Sequence, residues 1–290
     1  TITAQDEFNN LRRQFTGTVD ISDLTGTISP TVSGNFSNGQ WTGNVTITQA
    51  QNNNRITVKR TGGTETGNSN YFNVVSSTVD HFEIGMVSSP QEAGVPFSIT
   101  ITAKDGQGNT VVDFSGTGVL SDETGTISPT VTGSFSGGVW TGNVVITRSW
   151  SGNTITVTSS GKAGTSNEFD VVHTDLDHFR FETVGSPQVA GSSFDVTIYA
   201  EDRYDNRVTS FTTYVNLSDN TGTISPVESG NFVLGSWSGS VVITRSSSDV
   251  VIVASRYGST GESNSFNVVA GSLDHFTSVS YTHLTLPTKA

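Results

Sequence analysis

Apolar side chains recur at every second residue through most of this chain. Phe97, Ile99, Ile101 and Ala103 fall on one side of an extended backbone, and Ser98, Thr100, Thr102 and Lys104 on the other. The same beat returns in Phe194, Val196, Ile198 and Ala200. Trp140, Val144 and Ile146 alternate with Asn143, Val145 and Thr147, and the pattern continues at Ile155 with Val157 and Phe169 with Val171. Alternation of this kind marks strands with one buried face. Clusters of Gly, Asn, Asp, Ser and Pro separate the runs at the spacing of a β-sandwich. No stretch carries a 3.6-residue apolar stripe, so the chain reads as all-β.

The strands are grouped by repetition. Asp80-His81-Phe82 returns as Asp177-His178-Phe179 and Asp274-His275-Phe276, with the histidines 97 residues apart each time. Thr25-Gly-Thr-Ile-Ser-Pro30 returns at 124–129 and 221–226, and Trp41, Trp140 and Trp237 occupy matching contexts. Two extra residues in the 62–67 loop set the first two tryptophans 99 apart. A unit of this length exceeds a solenoid repeat and suits a domain with its own core. The reading is a tandem array of immunoglobulin-like β-sandwich domains of about seven strands each. Repeat 1 spans 1–77, repeat 2 spans 78–174 and repeat 3 spans 175–271, with 272–290 starting a fourth copy. Linkers of about four residues, such as Ser76–Val79, predict an extended array.

Composition narrows the function. The 290 residues include no cysteine, so neither a disulfide nor a thiolate contributes. Net charge is −12, which argues against nucleic acid as a partner because such binding depends on Lys and Arg at phosphates. No apolar run reaches the roughly 20 residues of a membrane span. No nucleophile elbow, P-loop, HExxH motif or dinucleotide fingerprint occurs, so no enzyme is expected.

The run Gly94-Val-Pro-Phe-Ser-Ile-Thr-Ile-Thr-Ala-Lys-Asp105-Gly-Gln-Gly-Asn109, followed by Phe114-Ser-Gly-Thr117, resembles the bacterial Ig-like repeats of invasin- and intimin-type surface proteins. Filamin-type repeats are a more distant likeness in shape. The resemblance covers residues 1–276. It implies an extracellular or cell-surface stalk whose partners are neighbouring repeats and a surface glycan or protein; a glycan- or receptor-binding module, or accessory domains of a larger secreted hydrolase, are the alternatives.

Candidate chemistry sits in the turns. Asp105 and Asn109 close a strand-to-strand turn, as do Asp6 and Asn10, and then Asp202, Asp205 and Asn206. Carboxylate and amide oxygens suit Ca²⁺, and the topology places Asp177 near Asp202 and Asp205. The alternative is a turn in which Asp accepts backbone N–H groups and Asn tolerates positive φ. Each His of the Asp-His-Phe motif alternates off the core face. It is expected to bond the adjacent Asp rather than join a zinc site, which needs three or four ligands. Trp41, Trp140 and Trp237 share the inward phase and are expected in the core, so Trp140→Ala would cost roughly 3–5 kcal/mol. Trp150, Tyr204 and Tyr257 fall in loops and are the aromatics available to a sugar. Asn35, Asn44 and Asn216 match the N-glycosylation pattern.

Both ends depart from the repeat. Thr1 aligns with Thr100, so repeat 1 lacks the first strand of its fellows. Truncation of a longer array or completion by a partner's strand would each account for that, and repeat 1 is expected to be the least stable. Thr277–Ala290 resembles translated sequencing adapter, in which case His283 and Lys289 carry no role; the alternative is a genuine disordered tail.

Overall fold

A computed structural model describes residues 1–278. Among these residues there is no helix, and the fold is all-β. The chain divides into two compact units, residues 1–172 and residues from 173 onward. Residues from 279 onward, with His283 and Lys289, lie outside the described residues, so most of the 277–290 tail does too.

In the second unit the apolar beat builds one sandwich. Strand Ser193–Glu201 runs antiparallel between His178–Phe181 and Ser236–Ile243, which also pairs with Ile224–Ser225. The opposing layer joins Asn216–Asp219, Ile252–Arg256 and Ser259–Glu262. Ser247–Val250 and Phe266–Val269 extend these last two strands past a register shift, and Gln188–Val189 lies parallel to Phe266–Val269. The short segments therefore merge into the seven strands of an Ig-like sandwich. The hairpin tip holds Tyr257 at φ 52° and Gly258 at φ 91°, the two-residue turn that suits twisted strands. Between the layers lie Val196, Ile198, Ala200, Leu217, Ile243, Ile252 and Phe266.

The first unit holds two further sandwiches, and no sheet crosses from one to the other. In repeat 2, Phe97–Lys104 is central between His81–Ile84 and Val139–Val144, opposite Val119–Asp122, Ile155–Ser159 and Lys162–Thr165. The Asp-His-Phe motif puts Phe82 into an aromatic triad with Phe114 and Phe135, with centroids 5.0–5.8 Å apart. Phe179, Phe211 and Phe232 repeat it in the second unit.

Repeat 1 has no counterpart of the His81–Ile84 strand among the described residues. Its triad is reduced to Phe15 and Phe36 at 5.0 Å. Ile56, Val58 and Phe72 are half-buried, where Ile155, Val157 and Phe169 are buried.

A strand glycine shows the same difference. A Cβ on Gly164 would collide with the Phe82 carbonyl, and one on Gly261 with the Phe179 carbonyl. At Gly67 the nearest group is Val58 at 3.5 Å.

The tryptophans depart from expectation. Trp41, Trp140 and Trp237 are only partly buried. The Trp140 indole folds over Gly142 two residues on and against Gly133. Trp41 and Trp237 still pack against their cores from these partly buried positions, so the indoles line the rim of the core rather than its centre. Trp150 is not in a loop: it opens the strand Trp150–Asn153, opposite Val171, and is 50% exposed.

Candidate functional site

The turns that recur in each repeat are closed by side chains acting on backbone. The Asp105 Oδ1 accepts from the Gln107 N–H at 3.0 Å and the Asn109 N–H at 2.8 Å. Its Oδ2 accepts from the Ser77 N–H and the Asn109 amide, both at 3.0 Å. Asp202 does likewise with Tyr204, Asn206 and the Thr174 N–H. Asp6 repeats the turn with Phe8 and Asn10.

Burial pushes the Asp105 carboxyl up, but these four donors outweigh it and hold its pKa at about 2. For Asp202 burial again acts upward, and bonds from Asn206, Thr174 and Tyr204 carry the net shift downward. Each carboxylate oxygen of Asp105 and Asp202 thus accepts two hydrogen bonds from turn and linker donors, the pattern of an Asx turn.

Within the first unit, Asn109 does more than close its own turn. Its Nδ2 donates to the Thr48 carbonyl at 2.8 Å, and its Oδ1 accepts from the Ala50 N–H at 2.9 Å. Thr48 and Ala50 belong to repeat 1. With Asp105 gripping the linker at Ser77, one turn of repeat 2 holds both the linker and a loop of its neighbour.

A second carboxylate centre went unnoticed in the sequence. Asp23 of the Thr-Gly-Thr-Ile motif accepts from the N–H groups of Thr25, Thr27 and Ile28, from the Thr25 hydroxyl and from the buried Asn54 amide. Burial raises its pKa, but the bonds from Thr25, Asn54 and Ile28 prevail and hold it at about 2. Asp122 and Asp219 stand in the same place. Asn153 answers Asn54, whereas Val250 replaces it in repeat 3. The signal was available: an Asp precedes Thr-Gly-Thr by two residues in every copy.

The acids at the start of repeat 3 divide. Asp202 faces its turn, while Asp177 and Asp205 meet across His178. The His178 Nδ1 lies 3.1 Å from Asp177 Oδ2, and its Nε2 lies 3.5 Å from Asp205 Oδ1. The same Nε2 lies 3.5 Å from Oε2 of Glu201, a residue 4% exposed that the sequence reading passed over. The expected His–Asp bond is present in each copy, at 3.2 Å in His81–Asp80 and 3.0 Å in His275–Asp274.

One exposed aromatic, Tyr257, stands at the tip of a hairpin beside an arginine. Arg256 stacks on Tyr214 at 4.1 Å and on Tyr257 at 4.7 Å. Tyr257, 76% exposed, borders an open cleft of about 400 Å³ with Asn216 and Thr260. Tyr204 is only partly exposed, beneath Arg203. Asn35, Asn44 and Asn216 are all exposed. No helix among the described residues is long and apolar enough to cross a membrane.

No protein-family model and no curated protein matches the chain. Among solved structures it is similar to FdeC, an Escherichia coli adhesin. Identity there is 16%, over 93% of this chain and 88% of that one, with a TM-score of 0.38. It is also similar to domains 4–9 of the surface layer protein SbsC, at 16% identity over 93% and 42% of the two chains and a TM-score of 0.27. The Yersinia pseudotuberculosis adhesin InvE is similar at 14% identity over 64% and 58%, with a TM-score of 0.31.

Proposed function

We propose that this chain is a non-catalytic spacer, a stalk segment of a secreted or cell-surface protein that holds another module at a set distance. The carrying observation is the Asn109 side chain, which binds the backbone of repeat 1 at Thr48 and Ala50 while Asp105 holds the linker at Ser77. Beads on a flexible string need no such bonds. A spacer does, because its task is to limit bending where domains meet. The acidic surface, with net charge −12, suits a soluble array that avoids self-association.

The test uses the whole chain with one spin label on repeat 1 and one on repeat 2. A narrow distance distribution is expected, broadening in Asn109→Ala. A broad distribution in the parent chain, or no broadening in the variant, would overturn the spacer reading.

The Arg256–Tyr257 hairpin favours a second reading, a glycan-binding module, since an exposed ring beside an arginine offers both a stacking face and donors to sugar hydroxyls. Screening on a glycan array, with Tyr257→Ala and Trp150→Ala as the variants, separates it from the spacer: binding lost on either change supports it.

A further inference from the structure

We infer that repeat 3 carries a divalent-cation site of the zinc class, formed by His178 Nε2, Glu201 Oε2 and Asp205 Oδ1. The three ligand atoms lie within 4.8 Å of one another. His178 Nε2 is 3.5 Å from each of the two carboxylate oxygens. A tetrahedral ion with bonds of about 2.0–2.1 Å has ligand–ligand edges of roughly 3.4 Å, so the imidazole already stands at coordination distance from both acids.

Glu201 supplies the independent evidence. It is 4% exposed, and its Oε2 is buried without a hydrogen-bond partner. Buried carboxylate oxygens are ordinarily satisfied, and this one is aimed at the imidazole. Its other oxygen, Oε1, accepts from Arg180 Nε at 2.8 Å, which fixes the carboxylate and leaves Oε2 as a single ligand. Strand pairing sets the approach, because Glu201 is directly opposite His178 in the antiparallel register. Asp205, at φ 62°, turns back from the following loop and is 81% exposed on its side chain. That open flank leaves room for a water as fourth ligand.

Asp177 completes the arrangement. With its Oδ2 at 3.1 Å from Nδ1, it holds the imidazole in the tautomer whose Nε2 lone pair faces the two acids, as carboxylates behind metal-binding histidines do. The three carboxylates outnumber the two nearby guanidiniums, Arg180 on Glu201 and Arg207 across from it, and leave a net negative charge that attracts a cation. One nitrogen and two oxygens suit a borderline ion such as Zn²⁺ rather than Ca²⁺, which takes six to eight oxygens.

Repeat 2 provides a control within the same chain. His81 and Asp80 keep the motif, but Lys104 stands where repeat 3 has Glu201, and Gly108 where it has Asp205. An ammonium in the ligand position repels a cation, so the site belongs to repeat 3 alone among the described copies.

The test is calorimetric titration of ZnCl₂ into the metal-free full chain, with CaCl₂ in parallel. One saturable Zn²⁺ per chain is expected, with no comparable response to Ca²⁺. His178→Ala and Asp205→Asn should each weaken Zn²⁺ binding by at least about 10–100-fold, while Asp177→Ala weakens it by a similar factor through orientation alone. His81→Ala should leave it unchanged. Asp205 is exposed, so its variant tests the site without threatening the fold, and circular dichroism confirms folding of each protein. No saturable Zn²⁺ binding by the parent chain would overturn the proposal. So would binding that survives His178→Ala and Asp205→Asn, or binding that falls with His81→Ala.

Discussion

Glu83 and Lys104 form an ion pair across neighbouring strands at 3.4 Å, and repeat 3 holds the same two positions with the charges exchanged, as Arg180 to Glu201 at 2.8 Å. Reversal keeps the pairing but changes what is buried. In repeat 2 the acid is the exposed partner, whereas in repeat 3 it is nearly enclosed.

That difference separates two otherwise equivalent substitutions. Lys104→Ala removes a pair with a solvated acid and should cost less than about 1 kcal/mol. Arg180→Ala leaves the enclosed Glu201 without its cation and should cost about 2–4 kcal/mol. Urea midpoints of the two variants, followed by fluorescence and hydrogen exchange in the affected repeat, measure the contrast. Equal costs would contradict it.

Glycine substitutions probe the first strand. Gly164→Ala and Gly261→Ala drive a methyl group into the Phe82 and Phe179 carbonyls and should each destabilise their repeat by about 2–3 kcal/mol. Gly67→Ala meets only Val58 at van der Waals distance and should change stability by less than about 0.5 kcal/mol. Thermal unfolding of the three variants checks the order.

Acid should loosen the turns. Asp23 and Asp105 titrate at about 2 in the folded chain, against about 3.9 for an unfolded aspartate. Between those values the unfolded chain binds more protons, so stability rises with pH. The contribution is complete above about pH 5 and is lost as pH falls from about 4 towards 2. Denaturant midpoints across that window should drop steeply in the parent chain. They should fall less steeply in Asp105→Asn, which starts lower at pH 7 because its neutral amide is a weaker acceptor. Parallel curves would contradict this assignment.

The rim position of Trp140 lowers the expectation for its truncation. With the indole partly exposed over Gly142, Trp140→Ala should cost about 2–3 kcal/mol, below the roughly 3–5 kcal/mol of an enclosed aromatic. A larger loss would mean that the ring seals the core more tightly than its exposure indicates.

Period-two alternation and three near-copies were enough to determine strands, fold class and the inward set Ile99, Ile101, Ile155, Val157 and Phe169, because a strand's side-chain direction is a local property. The Asx turns at Asp105 and Asp202 were also legible, since their partners lie within four residues. What only the tertiary structure decided depends on strand pairing. Register alone placed Glu201 opposite His178, and the returning loop alone brought Asp205 to the same nitrogen. Trp140 at the rim and Asn109 on the Thr48 carbonyl of its neighbour follow the same rule. Contacts between residues distant in the chain are set by how sheets align and close, and alternation, which repeats every two residues, carries no record of which strand lies next to which.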